Sequence, residues 1–139
     1  MSVLAQVTHT PLDLGFHVEQ VSGPQVGALA TFLGVVRDHD PSVPGEVVAL
    51  DYSAHPDAGA ELERIAHEIA DRDGVLGVAV SHRIGHLAVG EAALVAVVAS
   101  AHRAEAFDAC RELVERVKAQ LPVWKREVLA DGSHLWVGL

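Results

Sequence analysis

Four short apolar runs constrain this chain more than any other feature. "ALATFLGVV" (28–36), "VVALDYSAH" (47–55), "VLGVAVSHRIG" (75–85) and "AALVAVVASA" (92–101) are rich in Val, Ala and Leu and carry no helix caps. Runs of this length and composition read as strands, and the most continuous of them as strands buried in a core. Half of the residues are hydrophobic but only 4% are aromatic, so small and branched aliphatic side chains must fill that core.

The segments between these runs complete the pattern. "RDHDPSVPGE" (37–46), with two prolines and a glycine, reads as a loop. Residues 56–74 predict a helix with Pro56 in its first turn, an inner stripe of Leu62, Ile65, Ala66 and Ile69, and Gly74 as its stop. A second helix is predicted from an N-cap at Ser100 to about Gln120, with Phe107, Cys110, Leu113 or Val114, and Val117 facing inward. Pro122 ends it, and "VWKREVLADGSHLWVGL" predicts a hairpin turning at Asp131-Gly132. The first 26 residues read as a strand followed by a short helix over 14–22. No repeat or linker divides the chain, so the expectation is a single α/β (α+β) domain over 1–139 with an antiparallel pair at its C-terminus.

Charge narrows the function. A formal net charge of −9 argues against non-specific binding to nucleic acid or to a membrane surface. Yet Arg103, Arg111, Arg116, Lys118, Lys125 and Arg126, six of the ten basic residues, fall between 103 and 126, which suits a small anionic ligand. No apolar window is long enough to span a bilayer, and "MSVLAQVTHTPLDLG" lacks a basic n-region and a cleavage pattern. The single cysteine, Cys110, cannot form an internal disulfide, so a cytoplasmic location is expected.

Three constellations carry chemistry. In "KAQLPVWKRE" (118–127) the only two lysines of the chain, Lys118 and Lys125, bracket Pro122 and Trp124, which can wall a pocket. Lysines held together and partly desolvated have lowered pKa values, which makes proton transfer or nucleophilic attack accessible near neutral pH. Two surface lysines beside a turn are the alternative. "SAHR" (100–103), at a strand-to-helix junction, brings His102 and Arg103 to the positive end of a helix, where an anion is favoured; a simple cap with a paired arginine is the alternative. "GVVRDHD" (34–40) places Arg37 and His39 where a strand gives way to a loop, significant only if Arg37 converges with Arg103. His82 and His86 have a metal-ligand spacing, but the strand before them and Gly85 argue against the helix this spacing needs, and no metal or cofactor is expected. Cys110 lies on an apolar stripe and reads as packed.

Together, "TFLGVVRDHD", "SHRIGHLAVGE", "VASAHRAEAFDAC" and "VKAQLPVWKRE", in this order and at these separations, resemble the large, catalytic subunit of molybdopterin synthase over residues 27 to 137. The resemblance implies an α/β hammerhead fold and a sulfurtransferase. Its substrate would be cyclic pyranopterin monophosphate, converted to the dithiolene molybdopterin. Its sulfur would arrive as a thiocarboxylate on the C-terminal Gly-Gly of a small ubiquitin-like carrier, and a homodimer would bind one carrier at each end of a heterotetramer. Residue by residue, the resemblance makes Lys118 the central catalytic lysine and Lys125 a second essential one. It makes Arg37, His102 and Arg103 an anion-binding set, with Arg126 and Glu127 completing the substrate-contacting segment. Where the family commonly has a basic residue this chain has Val35, so contact there is expected through the backbone of Val35 and Val36. Some relatives continue beyond "LWVG", so contacts made by such a tail are expected to be absent past Leu139. A non-catalytic module binding a small phosphorylated metabolite, and a metal-dependent hydrolase using His82, His86 and His102, are the rival readings.

Overall fold

The structure is a computed structural model that describes residues 2–138; Leu139, on which the expectation about a tail falls, lies outside them. The elements in chain order are β1 (Ser2–Thr8), α1 (Leu14–Val21), β2 (Ala28–Val35), β3 (Val47–Ala54), α2 (Ala58–Ala70), β4 (Val75–Arg83), β5 (Gly85–Ala88), β6 (Ala92–Ser100), α3 (Arg103–Gln120), β7 (Val123–Leu129) and β8 (His134–Gly138). They form two four-stranded sheets, ordered β1-β4-β6-β2 and β5-β3-β7-β8. Among the described residues only β1 and β4 run parallel; every other pairing is antiparallel, including the C-terminal hairpin β7–β8.

The apolar runs β4 and β6 are continuous because both of their faces are covered. Val78, Val80, Leu94, Ala96 and Val98 point toward α2 and α3, where they meet Leu62, Ile65, Ile69, Leu113 and Val117. The alternate residues Ala79, Val95, Val97 and Ala99 face α1, with Val21 packed on them. Strand side chains alternate between faces, so a strand sandwiched between helices has no polar side to show. One polar pair interrupts this layer and is satisfied internally: His17 donates from Nδ1 to the Asp13 carbonyl and accepts at Nε2 from Ser81 Oγ, each at 2.6 Å. Among the described residues no helix is long and apolar enough to cross a membrane.

Several boundaries differ from the sequence reading. Helix α2 starts at Ala58 behind a cap at Asp57, leaving Pro56 ahead of the helix; it ends at Ala70, and Gly74 (φ +85°) makes the turn into β4 instead of stopping the helix. Ser100 is the buried last residue of β6, not the cap of α3; the cap position belongs to His102, whose N–H donates to Ser100 Oγ at 3.2 Å. Phe107 is 67% exposed, one position off the inner stripe. The small Ala106 and Ala109 occupy the inner positions instead, which lets the helix sit close to the sheet. The short β5 was absent from the sequence reading, because four residues with a single buried side chain, Leu87, leave almost no periodic signal.

Gly27 shows how closely the edge of the first sheet is packed. It donates its N–H to the Ser100 carbonyl at 3.0 Å, and a Cβ built on it would stand 2.3 Å from the Ala101 carbonyl oxygen. Backbone cannot yield as a flexible side chain can. Gly27→Ala is therefore expected to lower stability by about 1–3 kcal/mol, read as a lower denaturant midpoint at unchanged slope.

Candidate active site

The second sheet meets the first at the C-terminal end of α3, and a cavity of about 370 Å³ lies at that junction. This is within the range of small-molecule sites, roughly 300–1,000 Å³. Its walls come from five directions: the end of β2 and the loop after it, β3, the ends of β4 and β6, the last turn of α3, and β7. A small cluster of Val36, Val43, Val47, Leu50, Leu87 and Leu129 seals its base against the second sheet.

Lys118 and Lys125 line this cavity together with Arg37. Lys118 is in the last turn of α3; Pro122, half-buried, lies between the helix and β7, which carries Lys125 back past it. Lys118 is exposed as a residue, yet the protein around its amine, and next the charge of Lys125, lower its pKa below the ordinary lysine value. Lys125 Nζ stands 3.4 Å from Asp40 Oδ2 and 3.3 Å from Glu127 Oε1. The second contact is out of line for a hydrogen bond, so Glu127 Oε1 is buried without one. Burial, and then the adjacent Asp40 carboxyl, raise the Glu127 pKa, while the neighbouring Glu127 carboxyl and the hydrogen bonds from Ser42 hold Asp40 well below the usual carboxylate range.

Two further cavity residues were not assigned there from sequence. Tyr52 is pushed up to about 12, by burial and by Glu127, and stays a neutral phenol. His82 donates from Nδ1 to the Arg83 carbonyl at 2.8 Å and packs edge-on against Tyr52; burial lowers its pKa to about 4. The signal for both was strand alternation. Leu50 and Tyr52 pair across the sheet with Glu127 and Lys125, so all four side chains share one face.

The same alternation sends other expected site residues elsewhere. Trp124 and Arg126 project from the opposite face of β7, and neither lines the cavity. On that outer face a row crosses all four strands in register, from His86 through Asp51 and Arg126 to Trp136. His86 Nδ1 lies 2.6 Å from Asp51 Oδ1, Arg126 grips Asp51 Oδ2 through Nη2 and Nε (the latter at 3.1 Å), and the guanidinium lies 5.8 Å over the Trp136 ring. Burial opposes ionisation of Asp51, but the hydrogen bonds from Arg126 and His86 outweigh it and lower its pKa. His102 and Arg103 sit at the N-terminal end of α3; fifteen residues at about 1.5 Å each put Arg103 roughly 22 Å along the axis from Lys118. Arg37 and Arg103 thus do not converge within one chain. Val35 and Val36 do line the cavity. His82, His86 and His102 occupy three separate places, and among the described residues no three His, Cys, Asp or Glu side chains gather as a metal site. Cys110 is buried in the core, where desolvation raises its thiol pKa.

Comparison with known proteins places this cavity in context. Residues 7–120 match the family model described as MoaE protein. The molybdopterin synthase catalytic subunit 1 of Mycobacterium tuberculosis is 39% identical over 134 residues, covering 96% of this chain and 89% of the relative. A molybdopterin synthase crystal structure from Staphylococcus aureus superposes with a TM-score of 0.88 at 29% identity, covering 97% of each chain. A complex of subunits 1 and 2 of molybdopterin-converting factor from Helicobacter pylori shares the fold, with a TM-score of 0.74 at 20% identity over 98% of this chain and 88% of that one. With a family model spanning most of its length and a relative of this identity matched almost end to end, the chain belongs to the MoaE family, that of the molybdopterin synthase catalytic subunits.

Proposed function

We propose that the cavity between the two sheets is where this chain transfers sulfur, from the thiocarboxylated C-terminus of a small carrier protein to cyclic pyranopterin monophosphate. The class of activity follows from the family: a molybdopterin synthase catalytic subunit, a sulfurtransferase of molybdenum cofactor biosynthesis. The observation that carries the choice of site is the meeting of Lys118 and Lys125, the only lysines of the chain, with Arg37 in one cavity of substrate size.

Both reactants are anions, a phosphate and a thiocarboxylate, and a pocket holding three basic side chains in a protein of net charge −9 suits them. Lys118, with its lowered pKa, is the group for proton transfer or for stabilising charge at the reacting carbon. Lys125, on the facing wall, binds substrate and balances charge as the cyclic phosphate opens. The backbone of Val35 and Val36 and the Glu127 carboxyl complete the inner wall. Having no cysteine in the cavity, the chain would take its sulfur from the partner.

The assembly we infer is a homodimer with a carrier at each end, working in the cytoplasm. The Helicobacter pylori relative in fold was solved as a complex of its two subunits. His102, Arg103 and Arg126 lie outside the cavity of their own chain, so in this reading they meet an anion only in the assembly, at a surface facing another chain.

Two outcomes follow. Given a thiocarboxylated carrier and the cyclic precursor, the wild type should form dithiolene product, and Lys118→Ala should lose about 10²–10⁴-fold in rate while its circular dichroism is unchanged. Product at wild-type rate from the variant would remove Lys118 from the mechanism. Because the charge of Lys125 helps to lower the Lys118 pKa, Lys125→Gln should move the Lys118 titration upward, toward the ordinary lysine value, in side-chain NMR.

A further inference from the structure

Asp40 lies in the loop after β2, and its carboxylate is held by its own turn. Ser42 donates to Asp40 Oδ1 twice, from its backbone N–H at 2.9 Å and its hydroxyl at 2.7 Å. The Val43 N–H donates to the Asp40 carbonyl at 3.1 Å, and the buried Val43 side chain anchors the loop in the cluster under the cavity. With Oδ1 fixed in this way, Oδ2 is left to receive Lys125 Nζ at 3.4 Å. The same amine stands 3.3 Å from Oε1 of Glu127, a residue 1% exposed whose Oε1 is buried with no hydrogen bond, so the two carboxyls meet across one cation. Two like charges held this close disfavour each other, and a proton on one of the carboxyls relieves the repulsion. Ser42 stabilises the ionised form of Asp40, and burial favours the neutral form of Glu127, so the proton belongs on Glu127.

We propose that Asp40 is a positioning residue for the reaction: oriented by Ser42, it fixes the Lys125 amine against the cavity wall and keeps one proton on the Glu127 carboxyl. The proposal rests on the reading that this cavity is the sulfur-transfer site. Its physical sense lies in the charge count. With Glu127 neutral, the Asp40–Lys125–Glu127 group sums to zero and takes nothing from the positive charge that Arg37 and Lys118 offer an anionic substrate. Were both carboxyls ionised, the group would carry −1 and cancel one of those cations. Asp40 thereby also places a protonated acid at the back of the cavity, sheltered from water.

The discriminating change is Asp40→Asn, which keeps the shape and removes the like charge beside Glu127. Glu127 then loses its reason to stay protonated and can pair with Lys125, so the group still sums to zero but without its proton. Substrate affinity and turnover should therefore separate. We expect KM within about twofold of wild type, kcat lower by about tenfold, the low end of general acid–base effects, and the alkaline limb of the kcat profile moved to lower pH. The other titratable or charged groups facing this trio are Arg37 and His39 from the same loop, Tyr52 on β3, His82 on β4 and Lys118 on α3. To isolate Glu127 from them, its carboxyl is followed directly by ¹³C NMR, assigned with Glu127→Gln. In Asp40→Asn its titration should fall by about one pKa unit or more, tenfold in proton affinity. Ser42→Ala, which leaves both carboxyls in place, should shift Glu127 the same way by less, and Asp40→Glu should recover part of kcat. An unchanged Glu127 titration in Asp40→Asn and Ser42→Ala would overturn the proposal, as would a higher KM at unchanged kcat. A Glu127 shift seen in a protein whose wild type makes no product would overturn the sulfur-transfer reading and leave the proton arrangement standing.

Discussion

Burial of β4 and β6 on both faces is the constraint from which the rest of the structure follows. These strands have no solvent side, so every residue along them must find a partner in a helix layer, and the layers must lie on opposite faces: α1 on one, α2 and α3 on the other. Fully burying each aliphatic side chain contributes about 1.5–3 kcal/mol relative to leaving it exposed. With so few aromatics, many small contributions do this work in place of a few large ones. The stripe of α3 is consequently committed to the sheet along its whole length, which fixes where its last turn, and Lys118 with it, emerges.

The cavity lies just past that committed core, where residues of both sheets meet the last turn of α3. Its chemistry depends on charge held close to buried surface. Lys118 is destabilised as a cation by its surroundings and by Lys125, while Lys125 is held by Asp40 and Glu127. An acidic chain can present a basic pocket because most of its carboxylates lie away from the cavity, several of them on the outer helix surfaces. There Glu61 and Glu68 pair with Arg64, and Glu68 also with Arg116. Such exposed pairs are screened by solvent and contribute little to stability.

Much of this could be read from the residues alone. The strands were legible because Val-rich runs bounded by turns have few other solutions, and the proximity of the two lysines followed from a helix ending at Pro122 with a strand turning back. What escaped was what depends on facing. "WKRE" reads as one basic segment, yet period-two alternation puts Lys125 and Glu127 in the cavity and Trp124 and Arg126 behind it. Phe107 looked like core because it is large and apolar, but the close helix–sheet approach favoured alanine at the inner positions. Ser100 has the chemistry of a cap, but it closes the strand, and the helix cap falls two residues later at His102. Asp40 was legible only as a loop acid, since its importance comes from a partner eighty-five residues away.

The row of His86, Asp51, Arg126 and Trp136 on the outer face of the second sheet has a meaning for the inner face as well. A strand whose side chains alternate can slip by one residue and exchange its two sets completely. For β7 that slip would turn Arg126 and Trp124 into the pocket and Lys125 and Glu127 out to solvent, leaving a basic segment of nearly the same charge but the wrong shape. The row makes the slip costly, because it would break a guanidinium–carboxylate clamp and a cation–π contact together. Groups that never touch the cavity thus act as its index marks, setting which of two neighbouring cations faces inward.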